Sequence, residues 1–252
     1  MTAREDLRRT GVEIRKQLGL GERADADLLP GFSGLIDEVV FGRVWARPGL
    51  ALEDRVLATL SALTCKQHLP QLAVFIGAGL HIGMSPRLIQ EVMLHCTMYT
   101  GFPTALNSLE VVRTVLGERG LPQPGEDLTE ADLDELLSMG RQTMQTLHAE
   151  RSEGGYAAPD SAASGLYSTA IDYLYGEVWN RPGITYRQRM ICSIAAFTAT
   201  GLKSQQRKFF RSALNVGLSR TEILEAISQT GPYSGFPQAF NALAVAEEVL
   251  PE

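Results

Sequence analysis

The sequence lacks the cysteine patterns that mark a disulfide framework, a zinc module or a dithiol redox centre. Its three cysteines, Cys65, Cys96 and Cys192, are odd in number and widely spaced, and none belongs to a Cys-x-x-Cys pair. Disulfide-rich domains and zinc modules place cysteines close together, usually in even numbers. We therefore expect three small, buried, apolar side chains, as free cysteines usually are.

Basic residues and long apolar runs are also scarce. The chain has 23 lysines and arginines against 29 aspartates and glutamates, a formal charge of −6, which argues against a nucleic-acid-binding surface. The first residues, MTAREDLRRTG, lack the apolar core of a signal peptide, and the longest apolar run, Leu72–Leu80, is too short to cross a bilayer. We expect a cytoplasmic protein with neither a nucleic-acid nor a membrane partner.

No segment shows the period-two alternation of a half-buried strand, so the fold class is predicted to be all-α. Thr185 and Gln188 have capping-box spacing, and Ser85 followed by Pro86 has the order of a helix cap and first helical position. Apolar residues at helical spacing predict helices over residues 4–18, 35–45, 53–66, 69–81, 88–99, 104–116 and 130–148.

What the chain does contain is one stretch present twice. Residues 41–112 and 175–246 align without a gap at a constant offset of 134, and the N-terminal helix repeats at an offset of 129. This period is far longer than that of a solenoid, so each copy is a domain-sized module. We predict a first module over 1–118, a linker over 119–128, a second module over 129–252, and five inserted residues within 149–168. The modules are expected to pack as a pseudo-two-fold pair.

The shared residues carry a family likeness. The likeness lies in three segments and their order: LRRTGVEIRKQLG, VWARPGL and GLHIGMSPRLIQEVMLHCTMYTGFPTALNSL. With these segments the chain resembles the carboxymuconolactone decarboxylase family, whose wider group includes the thiol-dependent alkylhydroperoxidases of the AhpD type. The resemblance covers nearly the whole chain as a tandem pair. It implies helical modules that assemble into rings, typically trimers of paired modules, with small pockets at module interfaces and chemistry that needs no cofactor.

The chain departs from the acid and base pattern that this resemblance implies on the fourth helix. Where the decarboxylase branch has a glutamate and a histidine, the first copy has Gln71 and Phe75, and the second has Gln205 and Phe209. The peroxidase branch has two cysteines in this region, and their absence here argues against thiol-dependent peroxidase chemistry. A residual peroxidase function would need a low-pKa, exposed thiolate at Cys65 or Cys96. Decarboxylation would need other groups, because neither glutamine nor phenylalanine exchanges a proton near neutral pH.

Three residues of the first copy are predicted to be catalytic. His95 lies one turn after Glu91 and one turn before Tyr99, so the three share a helix face and suit general acid and base catalysis. His68 stands where the resemblance puts a pocket mouth. Alternative interpretations are a core histidine at position 95 and a surface cap residue at position 68. The second copy has Gln229 at the position of His95, so we expect His95→Gln to remove most activity.

The remaining site predictions concern substrate contacts and metals. Arg55 suits a carboxylate, since arginine binds it in a bidentate manner, although its counterpart Arg189 is kept in the second copy. The spacings of the first-copy histidines match no metal-ligand motif, so no metal is predicted. The predicted substrate-binding residues are Gln71, Phe75, Leu72, Glu91 and Arg55.

The leading functional hypothesis is a cofactor-independent lyase, isomerase or cyclase that acts on a small to medium hydrophobic carbonyl or lactone compound, such as a biosynthetic intermediate. The alternative is a ligand-binding or assembly protein that kept the scaffold without catalysis. The fourth helix, LPQLAVFIGAGL, is apolar on most faces, which predicts that the copies pack through it. The paired unit is expected to form a homo-oligomer, a trimer by resemblance.

Overall fold

The computed structural model describes residues 2–21, 29–125, 130–152 and 162–251. Every regular element within these ranges is helical, which confirms the all-α prediction. No helix of the described part is long and apolar enough to span a membrane. Parts of the predicted linker 119–128 and of the predicted insertion within 149–168 lie outside the described residues.

The helices of the two copies follow the same order. The first copy contains α1 (Ala3–Gln17), α2 (Phe32–Ile36), the π-helix π1 (Asp37–Trp45), α3 (Leu52–Lys66), α4 (Leu69–His81), α5 (Pro86–Thr100) and α6 (Phe102–Glu118). The second copy contains α7 (Leu133–His148), α8 (Ser164–Thr169), the π-helix π2 (Ala170–Glu177), α9 (Tyr186–Thr200), α10 (Lys203–Ala213), α11 (Arg220–Gln229), α12 (Gly231–Ser234) and α13 (Phe236–Val249). Short 3₁₀ turns occupy Ala149–Arg151, Val178–Asn180 and Leu214–Val216.

Helix starts follow the local capping signals. Ser85 accepts a hydrogen bond from the Leu88 amide at the start of α5, and Thr185 and Gln188 form a reciprocal capping box at the start of α9. Both predictions are therefore confirmed. Such caps satisfy backbone N–H groups that have no partner within the helix, and each contributes about 1 kcal/mol.

The contact between α1 and π1 depends on glycine. A Cβ atom at Gly11 would lie 2.0 Å from the carbonyl oxygen of Asp37, and one at Gly42 would lie 2.4 Å from that of Leu7. Any larger residue would push the two helices apart. The second copy has the same close approach at Gly140 and Gly176. Glycines kept at these paired positions thus position each π-helix, which in turn forms a pocket wall.

The copies meet mainly through α3 and its counterpart α9, which pack against each other at the centre of the molecule. Both helices are buried on nearly all sides. The prediction that α4 forms this contact is wrong, because α4 packs chiefly against helices of its own copy, and Val74 on its outer face is 50% exposed. The apolar residues of α4 are covered by α3 and α6 instead.

Ion pairs join the copies on both sides of this central contact. The carboxylate of Glu225 binds Arg47 at 2.6 Å and Arg55 at 3.0 Å. The matching carboxylate of Glu91 binds the equivalent arginines, Arg181 at 3.0 Å and Arg189 at 3.1 Å. Removing one partner of a buried pair leaves an uncompensated charge and costs about 3–5 kcal/mol. These arginines, present in both copies, therefore hold the pseudo-two-fold pair together.

Candidate functional site

Two pockets lie at equivalent positions between the copies. The first pocket has a volume of about 660 Å³ and the second about 1050 Å³. In the first pocket π1 and α4 provide one wall, and in the second pocket π2 and α10 do so. The opposite copy provides an aromatic wall in each pocket. The first pocket is lined by Phe41, Gln71, Val74, Phe75, Tyr233 and Phe236, and the second by their equivalents Tyr175, Gln205, Lys208, Phe209, Tyr99 and Phe102.

The tyrosine of the first pocket is held by a tryptophan. The Nε1 atom of Trp45 donates a hydrogen bond to the hydroxyl of Tyr233 at 2.6 Å, and the indole stacks on Phe75 with ring centroids 5.5 Å apart. Below them, Gln229 donates to Thr59 at 3.1 Å. Burial raises the pKa of Tyr233, so its phenol stays protonated at neutral pH. The floor of this pocket contains no histidine among the described residues.

The tyrosine of the second pocket is held by a histidine and a serine. The hydroxyl of Tyr99 lies 3.2 Å from Nε2 of His95 and 2.9 Å from Oγ of Ser193, and the latter two atoms are 2.9 Å apart. Ser193 donates its own hydrogen to the Arg189 carbonyl at 3.0 Å, so it accepts from its other partners. The three side chains therefore form a closed hydrogen-bonded triangle beneath the pocket.

His95 is neutral in this triangle. Its side chain is fully buried, and burial lowers its pKa well below the usual value, with a further contribution from the charge of Arg189. Its Nδ1 atom has no hydrogen-bond partner among the described residues, which fits the tautomer with the hydrogen on Nε2. In that tautomer His95 donates to the oxygen of Tyr99, while the phenol of Tyr99 donates to Ser193, and its hydrogen can turn from Ser193 towards a bound substrate. Burial also raises the pKa of Tyr99.

One end of the second pocket is cationic. Lys208 on α10 lines it, with its Nζ atom 3.4 Å from the hydroxyl of Tyr167. Arg151 donates to the Lys208 carbonyl at 3.1 Å and to Ser212 at 3.1 Å, which holds its guanidinium against the same helix. Burial, and secondly the charge of Arg151, lower the pKa of Lys208 to about 8. Its amine therefore loses its proton much closer to neutral pH than an exposed lysine does.

A second buried histidine supports this end of the pocket. His148 pairs through Nδ1 with Ser212 at 2.7 Å and through Nε2 with the hydroxyl of Tyr175 at 3.2 Å. Burial, followed by the charges of Lys208 and Arg151, lowers its pKa to about 2. His148 thus stays neutral and fixes the position of Tyr175, whose own pKa is raised by burial.

The first pocket has a different polar end. Arg15 is the cation there, and it is already engaged by the carboxylate of Asp37 at 3.3 Å and by the Gly21 carbonyl. The equivalent of Lys208 is Val74, and Gln71 is an exposed amide. The described lining of the first pocket therefore presents an apolar surface with a neutralised arginine and no group that titrates near neutral pH.

The predicted catalytic residues do not share one pocket. Tyr99 lines the second pocket, with His95 beneath it, because the end of α5 crosses to the opposite copy. His68 is exposed at the N-cap position of α4 and makes no capping hydrogen bond with its side chain. The structure thus brings together His95 and Tyr99 and leaves His68 apart from them.

The predicted substrate contacts are divided in the same way. Gln71 and Phe75 line the first pocket. Leu72 is fully buried in the core, while Glu91 and Arg55 belong to the buried ion pairs between the copies. These three are enclosed by protein atoms, so they suit a structural role better than direct contact with a ligand.

Lys208 and Arg151 are not among the site residues predicted from the sequence, because those predictions start from the histidines of the first copy. The sequence signal for Lys208 is the difference between lysine at position 208 and valine at the matched position 74.

The described residues contain no cluster of three or more His, Cys, Asp or Glu side chains able to hold a metal ion. Hydrogen bonding to Cys96, and secondly burial, raise the pKa of Cys65, which makes it an inert thiol.

Comparison with known proteins agrees with this duplicated architecture. The model of the carboxymuconolactone decarboxylase family matches residues 30–114 and again 165–248. The 4-carboxymuconolactone decarboxylase of Acinetobacter baylyi is 35% identical over 78 residues, which are 31% of this chain and 58% of that protein. The nitrosuccinic acid decarboxylase of Metarhizium robertsii is 29% identical over 115 residues, 43% of this chain and 80% of that protein. An uncharacterized 15.0 kDa protein of Paracoccus denitrificans is 25% identical over 120 residues, which are 47% of this chain and 90% of that protein.

Proposed function

This chain belongs to the carboxymuconolactone decarboxylase family, and from that premise we propose that it is a cofactor-independent, decarboxylase-like lyase whose chemistry takes place in the second pocket. Its substrate is a small to medium hydrophobic carbonyl compound that carries a carboxylate. The related decarboxylases of Acinetobacter baylyi and Metarhizium robertsii support the reaction class.

The observation that carries this proposal is the combination of apolar walls and a cationic end in the second pocket. Phe102, Phe197 and Phe209 line its apolar part, and Lys208 and Arg151 lie at its cationic end. Such walls favour a hydrophobic body, whereas the cations favour an anionic group. A volume of about 1050 Å³ is at the upper end of the range for small-molecule sites, so it accommodates a substrate larger than a simple metabolite.

Tyr99 is the proposed contact for the reacting carbonyl. Loss of CO₂ leaves an electron pair that must be delocalised onto a neighbouring oxygen or nitrogen and then receive a proton. A neutral phenol in an apolar pocket can donate a hydrogen bond to that developing negative charge, and such preorganised donors act strongly where water is excluded. His95 donates to the phenol oxygen and Ser193 accepts from the phenol, and together they hold Tyr99 in place.

The proposal is tested by CO₂ release from a panel of apolar β-keto acids and carboxylated lactones. The protein is first treated with chelator and passed through a desalting column, so that metals and loosely bound cofactors are removed. We expect at least one acid to be decarboxylated well above its uncatalysed rate. Activity that appears only after a metal, flavin or nicotinamide is added would contradict a cofactor-independent reaction.

A non-catalytic binding protein is the second candidate, and one observation favours it. Gln71 and Gln205, with Phe75 and Phe209, occupy the fourth-helix positions at which acid and base groups were expected. This alternative predicts that apolar carboxylic acids bind to the protein and are recovered unchanged. Calorimetric binding combined with product analysis by chromatography distinguishes the two candidates.

We also propose that the tandem unit forms a homo-oligomer, a trimer in the simplest case. The apolar side chains of Phe102, Leu106, Phe236 and Phe240 are 66%, 67%, 41% and 62% exposed at the starts of α6 and α13. Clustered apolar residues of this kind usually mark an interaction surface. Light scattering should give three times the 27.5 kDa chain mass, and a stable monomer at micromolar concentration would contradict the proposal.

A further inference from the structure

Lys208 differs in its surroundings from an ordinary surface lysine. It lies on the wall of the second pocket among Phe209, Leu174 and Tyr167, and its amine is 3.4 Å from the Tyr167 hydroxyl. The described residues place no carboxylate in ion-pair contact with it. The charge of Arg151 disfavours a second positive charge at this amine.

The other ionisable groups around Lys208 do not titrate near neutral pH. Arginine stays protonated in proteins. Burial keeps His148 neutral by lowering its pKa, and it raises the pKa values of Tyr99 and Tyr175. These neighbours come from four elements: Arg151 from the 3₁₀ turn, His148 from α7, Tyr175 from π2 and Tyr99 from α5. Among the basic groups of the described lining, Lys208 therefore changes protonation closest to neutral pH.

We propose that the Nζ atom of Lys208 is a covalent nucleophile, and that it forms an imine with the ketone carbonyl of a β-keto acid bound in the second pocket. This inference rests on the proposed function and names the substrate class of the same site. A lysine that is desolvated in an apolar pocket beside another cation is one of the known ways to obtain a nucleophilic amine. At pH 7 a lysine with a pKa of about 8 is roughly one-tenth neutral, against well under one-thousandth for an ordinary lysine.

The reaction balances without an oxidant or a cofactor. The neutral amine adds to the ketone carbon, and loss of one water gives the imine, which takes up a proton. When the bond to the carboxylate carbon breaks, CO₂ leaves and the electron pair moves onto the iminium nitrogen, giving an enamine. A proton from solvent, delivered through Tyr99, adds to the enamine carbon, and one water hydrolyses the imine to release the ketone and free Lys208.

The geometry also assigns tasks to the neighbours. Arg151 is anchored by the Lys208 carbonyl and by Ser212, so its charge stays close to the amine without an anion of the described residues to neutralise it. The Tyr167 hydroxyl, 3.4 Å from Nζ, can exchange protons with the nitrogen and with the oxygen that leaves as water. The apolar wall disfavours the charged carboxylate and favours neutral CO₂, which assists the bond-breaking step.

The first experiment detects the amine by itself. The wild-type protein is incubated with 2,4-pentanedione, a β-diketone that gives a stable enaminone with a neutral amine, and the modified lysine is located by peptide mass spectrometry. We expect modification of Lys208 at least tenfold faster than of Lys203, an exposed lysine on the same helix, with a rate that rises through about pH 8. Equal labelling of both lysines, or no labelling of Lys208, would overturn the inference.

The second experiment follows turnover of benzoylacetate, an apolar β-keto acid, in matched variants. Lys208→Arg keeps the positive charge but cannot form an imine, and we expect it to lose all decarboxylation above background. Lys203→Arg, the control, should match the wild type. Borohydride added during wild-type turnover should inactivate the protein and leave a reduced adduct on Lys208.

The outcomes separate the two proposals. If Lys208 reacts selectively with 2,4-pentanedione while no keto acid is decarboxylated, the amine is the nucleophile described here and the proposed lyase function fails. If benzoylacetate is decarboxylated equally well by Lys208→Arg, and borohydride leaves no adduct, the function stands and the imine is refuted. The labelling of wild-type protein decides the matter even if Lys208→Arg does not fold.

Discussion

The two pockets occupy the same place in the two copies and differ in their chemistry. Val74 in the first pocket corresponds to Lys208 in the second, and beneath the pocket tyrosines Gln229 corresponds to His95. The scaffold residues are unchanged: paired glycines set the helix contacts and paired arginines hold Glu91 and Glu225. The two pockets thus share one architecture, and they differ in the ionisable groups that surround them.

The two tryptophans illustrate how this divergence works. Trp45 uses its Nε1 hydrogen to hold Tyr233. The equivalent Trp179 Nε1 has no partner in the described part of the chain, because Tyr99 is held by His95 and Ser193 instead. The first tyrosine is thus fixed by a hydrogen bond from an indole, whereas the second is fixed by a neutral histidine and a serine.

The largest effect is expected when the pocket lysine and valine are exchanged. Lys208→Val copies the first pocket and should abolish decarboxylation of benzoylacetate, since it removes both the amine and the charge. The reciprocal Val74→Lys should leave the rate unchanged, because that side chain is half exposed and its ammonium stays solvated. The measurement is initial rate at saturating substrate. A loss of activity in Val74→Lys alone would reverse the assignment of the pockets.

A smaller effect is expected from the two tyrosines. Tyr99→Phe removes the proposed donor to the reacting carbonyl, and losing such a donor costs about 10²- to 10³-fold in kcat. Tyr233→Phe should leave kcat within twofold and lower the free energy of unfolding by about 1–3 kcal/mol, because Trp45 Nε1 loses its acceptor. Steady-state kinetics and urea unfolding measure the two quantities. Equal kinetic losses in both variants would mean that the pockets do not differ in function.

The histidine and glutamine beneath the tyrosines should give a modest effect. His95 is fully buried and reaches the pocket only through Tyr99, so we assign it a positioning role. His95→Gln should lower kcat by about tenfold with little change in KM, since the amide still reaches Ser193 but holds the phenol less well. Gln229→His should not change kcat. A kcat unaffected by His95→Gln would remove the histidine from the mechanism.

The pH dependence of stability should also report on the second pocket. Burial lowers the pKa values of His95 and His148, that of His148 to about 2, so below about pH 6.5 the unfolded chain binds protons that the folded chain does not. The free energy of unfolding should therefore fall as the pH drops from 6.5, by up to about 1.4 kcal/mol per pH unit for each histidine. Urea unfolding at pH 7 and pH 5 measures this slope.

The variant that tests this slope is His148→Gln. It should reduce the pH dependence, because it removes one of the two buried histidines whose pKa values are lowered. An unchanged slope in His148→Gln would show that this histidine does not stay neutral in the folded state.

Much of the fold follows from local patterns in the sequence. Helix starts at Ser85 and Thr185 depend on side chains within three residues, and the duplication is visible as a constant offset. The contact between α3 and α9 was not predicted, because α4 is more apolar than either of them, and tertiary packing decides which helices meet. Local periodicity reports that a face is buried and does not report what covers it.

The site was harder to predict for the same reason. Tyr99 was correctly placed on the face of His95, since residues four apart on a helix are neighbours. That this face opens into the pocket of the opposite copy depends on how the copies cross, which no local pattern encodes. Lys208 was not predicted because a single lysine in an amphipathic helix is usually a solvated residue, and its burial in the pocket beside the charge of Arg151 arises only in the folded chain.

The central claim is that the second pocket, and not the first, carries the chemistry, and a crystal structure of the protein with 2,4-pentanedione tests it most directly. We predict electron density continuous from Nζ of Lys208 into the second pocket, with the ligand within hydrogen-bond distance of Tyr99 and no covalent ligand in the first pocket. A ligand held instead between Gln71 and Phe75 in the first pocket, with Lys208 unmodified, would contradict the account.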